Sequence, residues 1–70
     1  MLDIETFGRR IAELRHRSGR TQQEVAAAVG VSTQAVSKWE RGLSCPDILI
    51  LDDVASVLGV EIAELFSNQL

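Results

Sequence analysis

The sequence predicts an all-α fold, one compact domain of five helices over residues 1–70. Hydrophobic residues make up 46 % of the chain, but only three residues are aromatic, which favours an aliphatic helical core. Apolar residues recur at spacings of three and four, and β-branched residues do not alternate with polar ones. The one proline, Pro46, leaves long stretches free to be helical. A chain this short buries only about 60 % of its unfolded surface, so a single small core is expected.

The first predicted helix ends near Ser18, and one of its faces is apolar. That face carries Ile4, Phe7, Ile11 and Leu14. A second helix is expected to begin after Thr21, because Thr21 and Glu24 have the spacing of a capping box. It ends at Gly30 after little more than two turns.

Ser32 is expected to cap a third helix, which ends at about Gly42. Pro46 suits the first turn of a fourth helix, where its missing N–H costs nothing. The buried face of that helix is predicted to consist of Ile48, Leu51, Val54, Ala55 and Leu58. A short fifth helix over about residues 61–67 completes the predicted bundle, with Glu61 as a weak cap.

Charge divides the chain into two unlike parts, although its net charge is only −3. All seven basic residues lie before position 42, so residues 1–41 carry +2 and residues 42–70 carry −5. A polyanion responds to the field of the surface that it meets and not to the summed charge. A nucleic-acid partner for the first part is therefore compatible with an acidic chain.

Several classes of function find no support in the sequence. Cys45 and His16 are the only residues of their types, so neither a disulfide nor a metal site nor a cofactor is expected. Neither residue has a partner that suggests catalysis, and a small bundle leaves little room for an active-site pocket. The apolar run of residues 48–51 is too short to span a bilayer. We therefore expect a cytoplasmic protein that is not an enzyme, with no membrane contact and no small-molecule effector.

The most informative segment runs from Thr21 to Gly42 and reads TQQEVAAAVGVSTQAVSKWERG. Two short helices joined by a tight turn at residues 30–32 have the organisation of a helix-turn-helix. Ala26 is small enough to let the two helices approach closely. Val36 and Trp39 are expected to anchor the third helix to the core. The sequence thus predicts a helix-turn-helix motif over about residues 21–41.

The chain resembles the phage-repressor/Cro type of helix-turn-helix regulators, the lambda-repressor-like domains of the xenobiotic-response-element family. The resemblance covers roughly residues 7–66 and rests on three pieces. These are RIAELRHRSGRTQQEVAAAVGVSTQAVSKWERG, CPDILILDDVASVLGV and VEIAELF. It implies a prokaryotic or phage five-helix domain that binds double-stranded DNA as a homodimer on a two-fold symmetric operator, most often as a repressor.

The resemblance also implies roles for individual residues. The residues expected to read bases are Thr33, Gln34, Ser37 and Lys38. Their chemistry agrees, since an amide pairs with adenine and an ammonium group donates to guanine. Gln22 matches the position that holds a backbone phosphate, and the secondary phosphate candidates are Gln23, Arg20, Arg41 and Ser44. Arg15 and Glu40 match a partly buried pair that links the first helix to the end of the third.

The acidic second part of the chain is expected to form the dimer seam. Leu49 and Ile50 cannot both face the core, which leaves Leu49 at the surface. The seam candidates are Leu49, Val60, Phe66 and Leu70. The same surface also suits another partner, so a protein-interaction module, such as an antitoxin on the same scaffold, is the alternative hypothesis. A monomer in the absence of DNA would count against the dimer.

Overall fold

Four α-helices and two 3-10 segments form the fold in the computed structural model, which describes residues 2–68. The α-helices are α1 (Ile4–Ser18), α2 (Gln22–Val29), α3 (Thr33–Glu40) and α4 (Leu51–Val57). A 3-10 turn, Ile48–Ile50, precedes α4, and a second 3-10 segment, Ile62–Phe66, follows it. The described residues contain no β-strand, which confirms the all-α expectation. None of the helices they form is long and apolar enough to cross a membrane.

Buried apolar side chains from all four α-helices meet in a single core. Helix α1 packs against α3 and the second 3-10 segment, while α2 packs against α3 and α4. The core consists of Phe7, Ile11, Leu14, Val25, Ala26, Val36, Trp39, Val54, Ala55, Leu58 and Leu65. Each helix therefore buries one apolar stripe, as the spacing of three and four predicts.

The helices of the central motif begin where their cap residues lie. The Thr21 hydroxyl accepts a hydrogen bond from the Glu24 N–H at 3.0 Å, and the Glu24 carboxylate accepts one from the Thr21 N–H at 2.8 Å. This is the expected capping box at the start of α2. The Ser32 hydroxyl accepts a hydrogen bond from the Ala35 N–H at 3.1 Å and so caps α3. Each cap joins two residues that are three positions apart in the chain, so the start of each helix is determined locally.

The predicted fourth helix was wrong at its beginning. Pro46 lies outside any helix, in the segment between α3 and the 3-10 turn, and Ile48, expected in the core, is 79 % exposed. The cause is local: Asp47 accepts the Leu49 N–H on its side chain at 2.8 Å and the Ile50 N–H on its carbonyl at 3.0 Å. These bonds close a tight turn in place of the first turn of an α-helix. Helix α4 consequently begins only at Leu51.

The predicted fifth α-helix was also wrong, since the segment forms the 3-10 helix Ile62–Phe66. Its first backbone bond joins the Glu64 N–H to the Glu61 carbonyl at 2.9 Å, the i to i+3 spacing of a 3-10 helix. So short a segment gains little from α-helical hydrogen bonds. Packing holds it instead: Leu65 is fully buried, and the Phe66 ring stacks on Phe7 with 5.1 Å between centroids.

Candidate nucleic-acid interface

The turn between α2 and α3 fixes the relative direction of the two helices. Gly30 has a φ of +78°, a left-handed conformation that glycine adopts at little cost. The N–H groups of Gly30 and Val31 both donate to the Ala26 carbonyl, at 2.9 and 3.0 Å. Ala26 itself is buried, so no larger side chain separates the helices at this point. The chain therefore turns sharply, and the turn fixes the direction of α3 relative to α2.

Helix α3 has one buried face and one exposed polar face. Val36 is fully buried and Trp39 is 3 % exposed, so both anchor the helix to the core. On the other side, Thr33, Gln34 and Lys38 are exposed and Ser37 is half-buried. These four residues have i, i+3 and i+4 spacing and hence occupy one face. The structure thus brings the four candidate base-reading residues together on a surface that faces solvent.

Helix α1 touches the backbone at the end of α3 through Gly8, which the sequence analysis missed. A Cβ atom at this position would lie only 2.2 Å from the carbonyl oxygen of Trp39 and 3.1 Å from that of Glu40. Only glycine allows this approach of the two helices. A signal was available, because a glycine inside a helix costs about 1 kcal/mol relative to alanine and so needs a compensating reason.

A polar cluster of three side chains also holds the end of α3. The Glu40 carboxylate accepts hydrogen bonds from Arg15 Nε at 2.5 Å and from Arg15 Nη2 at 3.0 Å. The Gln22 amide donates to the same carboxylate at 3.0 Å. The Arg15 and Glu40 side chains are only 13 % and 8 % exposed. The cluster therefore joins α1, the start of α2 and the last residue of α3.

The electrostatics of this cluster favour the charged state of both partners. Burial by itself raises the pKa of Glu40, but hydrogen bonds from Arg15 and Gln22 outweigh it, and the net pKa is lowered. The hydrogen bond to Glu40 correspondingly raises the pKa of Arg15. Removing either partner would leave a desolvated charge behind.

Comparisons with known proteins identify the scaffold. A family model described as helix-turn-helix matches residues 11–65. The chain belongs to the helix-turn-helix family. A relative from Bacillus subtilis (strain 168), the uncharacterized HTH-type transcriptional regulator YazB, is 38 % identical over 64 residues, which cover 91 % of this chain and 93 % of that protein. The family is thus one of DNA-binding transcriptional regulators.

Two solved structures show how far the likeness extends in three dimensions. The restriction-modification controller protein C.AhdI from Aeromonas hydrophila has a TM-score of 0.84 and 32 % identity, covering 90 % of this chain and 96 % of its own. The DNA-binding domain of the P22 C2 repressor also has a TM-score of 0.84, with 28 % identity over 99 % of this chain and 91 % of its own. The helix-turn-helix protein therefore has the fold of lambda-repressor-like domains.

The candidate phosphate residues of this helix-turn-helix protein have different surroundings. Gln23 is exposed at the first turn of α2, and Ser44 is half-buried after α3. Arg41 is exposed, with Nε 3.3 Å from the Ser37 carbonyl. Gln22 is half-buried and donates to Glu40 as described above. Arg20 differs from all of these, because its Nε donates to the Val57 carbonyl at the end of α4, at 2.9 Å.

The candidate dimer residues do not form one uniform surface. Leu49 is 86 % exposed in the turn before α4. Val60 is half-buried and lines a shallow surface cleft together with Ile62, which is 40 % exposed. Phe66 is half-buried because its ring packs on Phe7. Leu70 lies outside the described residues.

Proposed function

We propose that this helix-turn-helix protein is a repressor that binds a short two-fold symmetric operator as a homodimer, with α3 in the major groove. One observation carries the proposal: α3 presents its polar face to solvent, while the core holds its other face and Arg15 and Gln22 hold its last residue, Glu40. A helix held in this way meets base edges without first being ordered, which lowers the entropy cost of binding. The sequence-specific contacts then come from the polar face alone.

The polar face offers complementary chemistry to base edges. The Gln34 amide has a donor and an acceptor that match adenine, and the Lys38 ammonium donates to the acceptors of guanine. The Thr33 methyl group suits the methyl group of thymine, and the Ser37 hydroxyl suits several bases. Each well-formed pair is worth about 1–3 kcal/mol of discrimination between bases.

Phosphate contacts on both sides of α3 would fix its register on the duplex. Gln22 and Gln23 lie in the first turn of α2, where backbone N–H groups favour an anion. Arg41 and Ser44 follow the end of α3. Such contacts set position and orientation and carry no sequence information. Arg41 belongs to the positive part of the chain, whose seven basic residues all precede position 42.

A dimer explains why a small interface with few basic residues would suffice. Two-fold symmetry presents two copies of α3 to two half-sites about 10 base pairs apart. The proposed seam contains Leu49, Val60 and Phe66, with Leu70 beyond the described residues. Repression follows if the occupied operator overlaps a promoter, since the dimer then excludes the polymerase. Such a protein acts in the cytoplasm, on the genome.

The test is selection of bound sequences from genomic fragments at moderate salt, repeated with Gln34→Ala and with Gln23→Ala. The proposal expects a short inverted repeat for the wild type. Gln34→Ala should lose preference at one position of each half-site, whereas Gln23→Ala should weaken all sequences alike. Enrichment of no sequence, with a monomer in sedimentation experiments, would instead support a protein-interaction module such as an antitoxin.

A further inference from the structure

Arg20 donates a hydrogen bond to the last carbonyl group of α4. The last carbonyl groups of a helix have no partner within it and need another donor. Three carbonyls of the last turn find backbone donors: those of Val54, Ala55 and Ser56 accept from Leu58, Val60 and Gly59 at 3.0–3.1 Å. The Val57 carbonyl is the next along the chain, and it accepts from Arg20 Nε at 2.9 Å. A side chain 37 positions away thus supplies the missing donor.

The C-terminal end of α4 favours a basic partner, which must come from outside residues 42–70. The C-terminal end of a helix is electronegative and favours a cation. Residues 42–70 contain no lysine or arginine, so α4 cannot supply that cation itself. Arg20, in the turn between α1 and α2, therefore joins the basic part of the chain to the acidic part.

Arg20 is also connected, through Arg15, to the end of α3. Arg15 bonds the Glu40 carboxylate with Nε and Nη2, and its Nη1 donates to the Arg20 carbonyl at 3.0 Å. An unbroken series of polar contacts therefore runs from Glu40 in α3, through Arg15 and Arg20, to Val57 in α4. The series ends three residues before Val60, a candidate seam residue.

We propose that Arg20 is a positioning residue that fixes the end of α4 relative to α3 and so sets the spacing of the two half-sites that the dimer accepts. This inference rests on the proposed dimer. It replaces the expectation that Arg20 binds a phosphate. A dimer seam near Val60 sets the position of the partner protomer's α3 relative to the first. A change in the direction of α4 therefore changes the distance between the two copies of α3. Misplaced copies cannot both reach their half-sites.

The experiment compares Arg20→Ala with Arg17→Ala and Arg41→Ala on the selected operator. Arg17 is a matched control, because it is an exposed arginine near the same end of α1 and its removal costs the same charge. Duplexes with half-sites one base pair closer or farther apart are included, as is a single half-site. Arg20→Ala should bind the natural spacing about tenfold more weakly than Arg17→Ala, a loss of about 1.4 kcal/mol. The loss should shrink on an altered spacing and on the single half-site.

The salt dependence of binding separates positioning from phosphate contact. Loss of a phosphate contact makes the negative slope of log affinity against log salt shallower by about 0.9. The slope for Arg20→Ala should equal that for Arg17→Ala, whereas Arg41→Ala should have the smaller slope. A reduced slope for Arg20→Ala, with equal losses on the full site and the half-site, would show that Arg20 is a phosphate ligand and overturn the inference.

A measurement without DNA keeps the inference apart from the proposed dimer. Amide resonances of Leu58, Gly59 and Val60 should shift in Arg20→Ala and not in Arg17→Ala, in a spectrum that otherwise stays folded. Unshifted resonances would overturn the link between Arg20 and α4. A stoichiometry of one protein per operator duplex for the wild type would instead refute the dimer, and with it the effect on half-site spacing.

Discussion

The guanidinium of Arg15 donates two hydrogen bonds to the carboxylate of Glu40, 2.5 Å from Nε to Oε2 and 3.0 Å from Nη2 to Oε1. Parallel bonds of this kind fix orientation as well as distance, because both groups are planar. Glu40 is the last residue of α3, and Arg15 lies in the last turn of α1. The pair therefore fixes the end of α3, while Val36 and Trp39 fix its buried face.

Glu40→Ala should lower the free energy of unfolding by about 2 kcal/mol, because Arg15 and Gln22 lose a charged acceptor in a largely buried place. Urea unfolding followed by circular dichroism measures the change. Glu13→Ala is the control: it also removes a carboxylate from an arginine, but Glu13 is 49 % exposed, and the loss should stay below about 0.5 kcal/mol. Equal midpoints for the two variants would show that the Arg15–Glu40 pair adds nothing to the fold.

Acid should remove the stabilisation that Glu40 provides. Its pKa in the folded chain lies below the ordinary 4.5, so the unfolded chain takes up the proton first as the pH falls. The contribution is complete above pH 4.5 and disappears as the pH drops through the folded pKa. Urea unfolding from neutral to acidic pH should show the difference between wild type and Glu40→Gln shrinking below pH 4.5. A constant difference down to pH 3 would contradict the lowered pKa.

Gly8→Ala should destabilise the protein although alanine is the better helix former. The added Cβ would lie 2.2 Å from the Trp39 carbonyl oxygen, so α1 and α3 must separate. Forced separation of packed elements costs about 1–3 kcal/mol, more than the 1 kcal/mol or so that alanine gains in a helix. Thermal unfolding of Gly8→Ala measures the net effect on stability. Ala12→Gly, a control in the same helix, measures the preference of the helix for alanine over glycine. A Gly8→Ala variant more stable than wild type would mean that the helices accommodate the methyl group.

The features that the sequence predicted well depend on residues close together in the chain. A capping box needs only Thr21 and Glu24, and the two faces of α3 follow from the spacing of Val36 and Trp39. Three- and four-residue spacings decide such features before any tertiary contact forms. For the same reason both ends of α2 and the start of α3 were predicted within a residue, and the end of α3 within two.

The features that the sequence did not predict depend on distant contacts or on a competing local bond. Asp47 closes a turn with its own neighbours, and no apolar pattern reveals that Ile48 then faces solvent. The 3-10 segment of residues 62–66 packs through Phe66 against Phe7, which is far away in the chain. The bond from Arg20 to the Val57 carbonyl has no sequence signature, since the tertiary fold decides which carbonyl lies within reach of an arginine. Family resemblance suggested a phosphate for Arg20, whereas the geometry suggests α4.

Leu49→Gln tests whether the most exposed large apolar residue among residues 2–68 belongs to the dimer seam. Since Leu49 is 86 % exposed, its loss should change the free energy of unfolding of the monomer by less than about 0.5 kcal/mol. If Leu49 is buried between protomers, the dissociation constant of the dimer should rise about tenfold, which sedimentation equilibrium measures. Leu43→Gln, at a residue 62 % exposed outside the proposed seam, is the control and should leave the constant unchanged. An unchanged constant for Leu49→Gln as well would exclude Leu49 from the seam and leave Val60 and Phe66 as its described candidates.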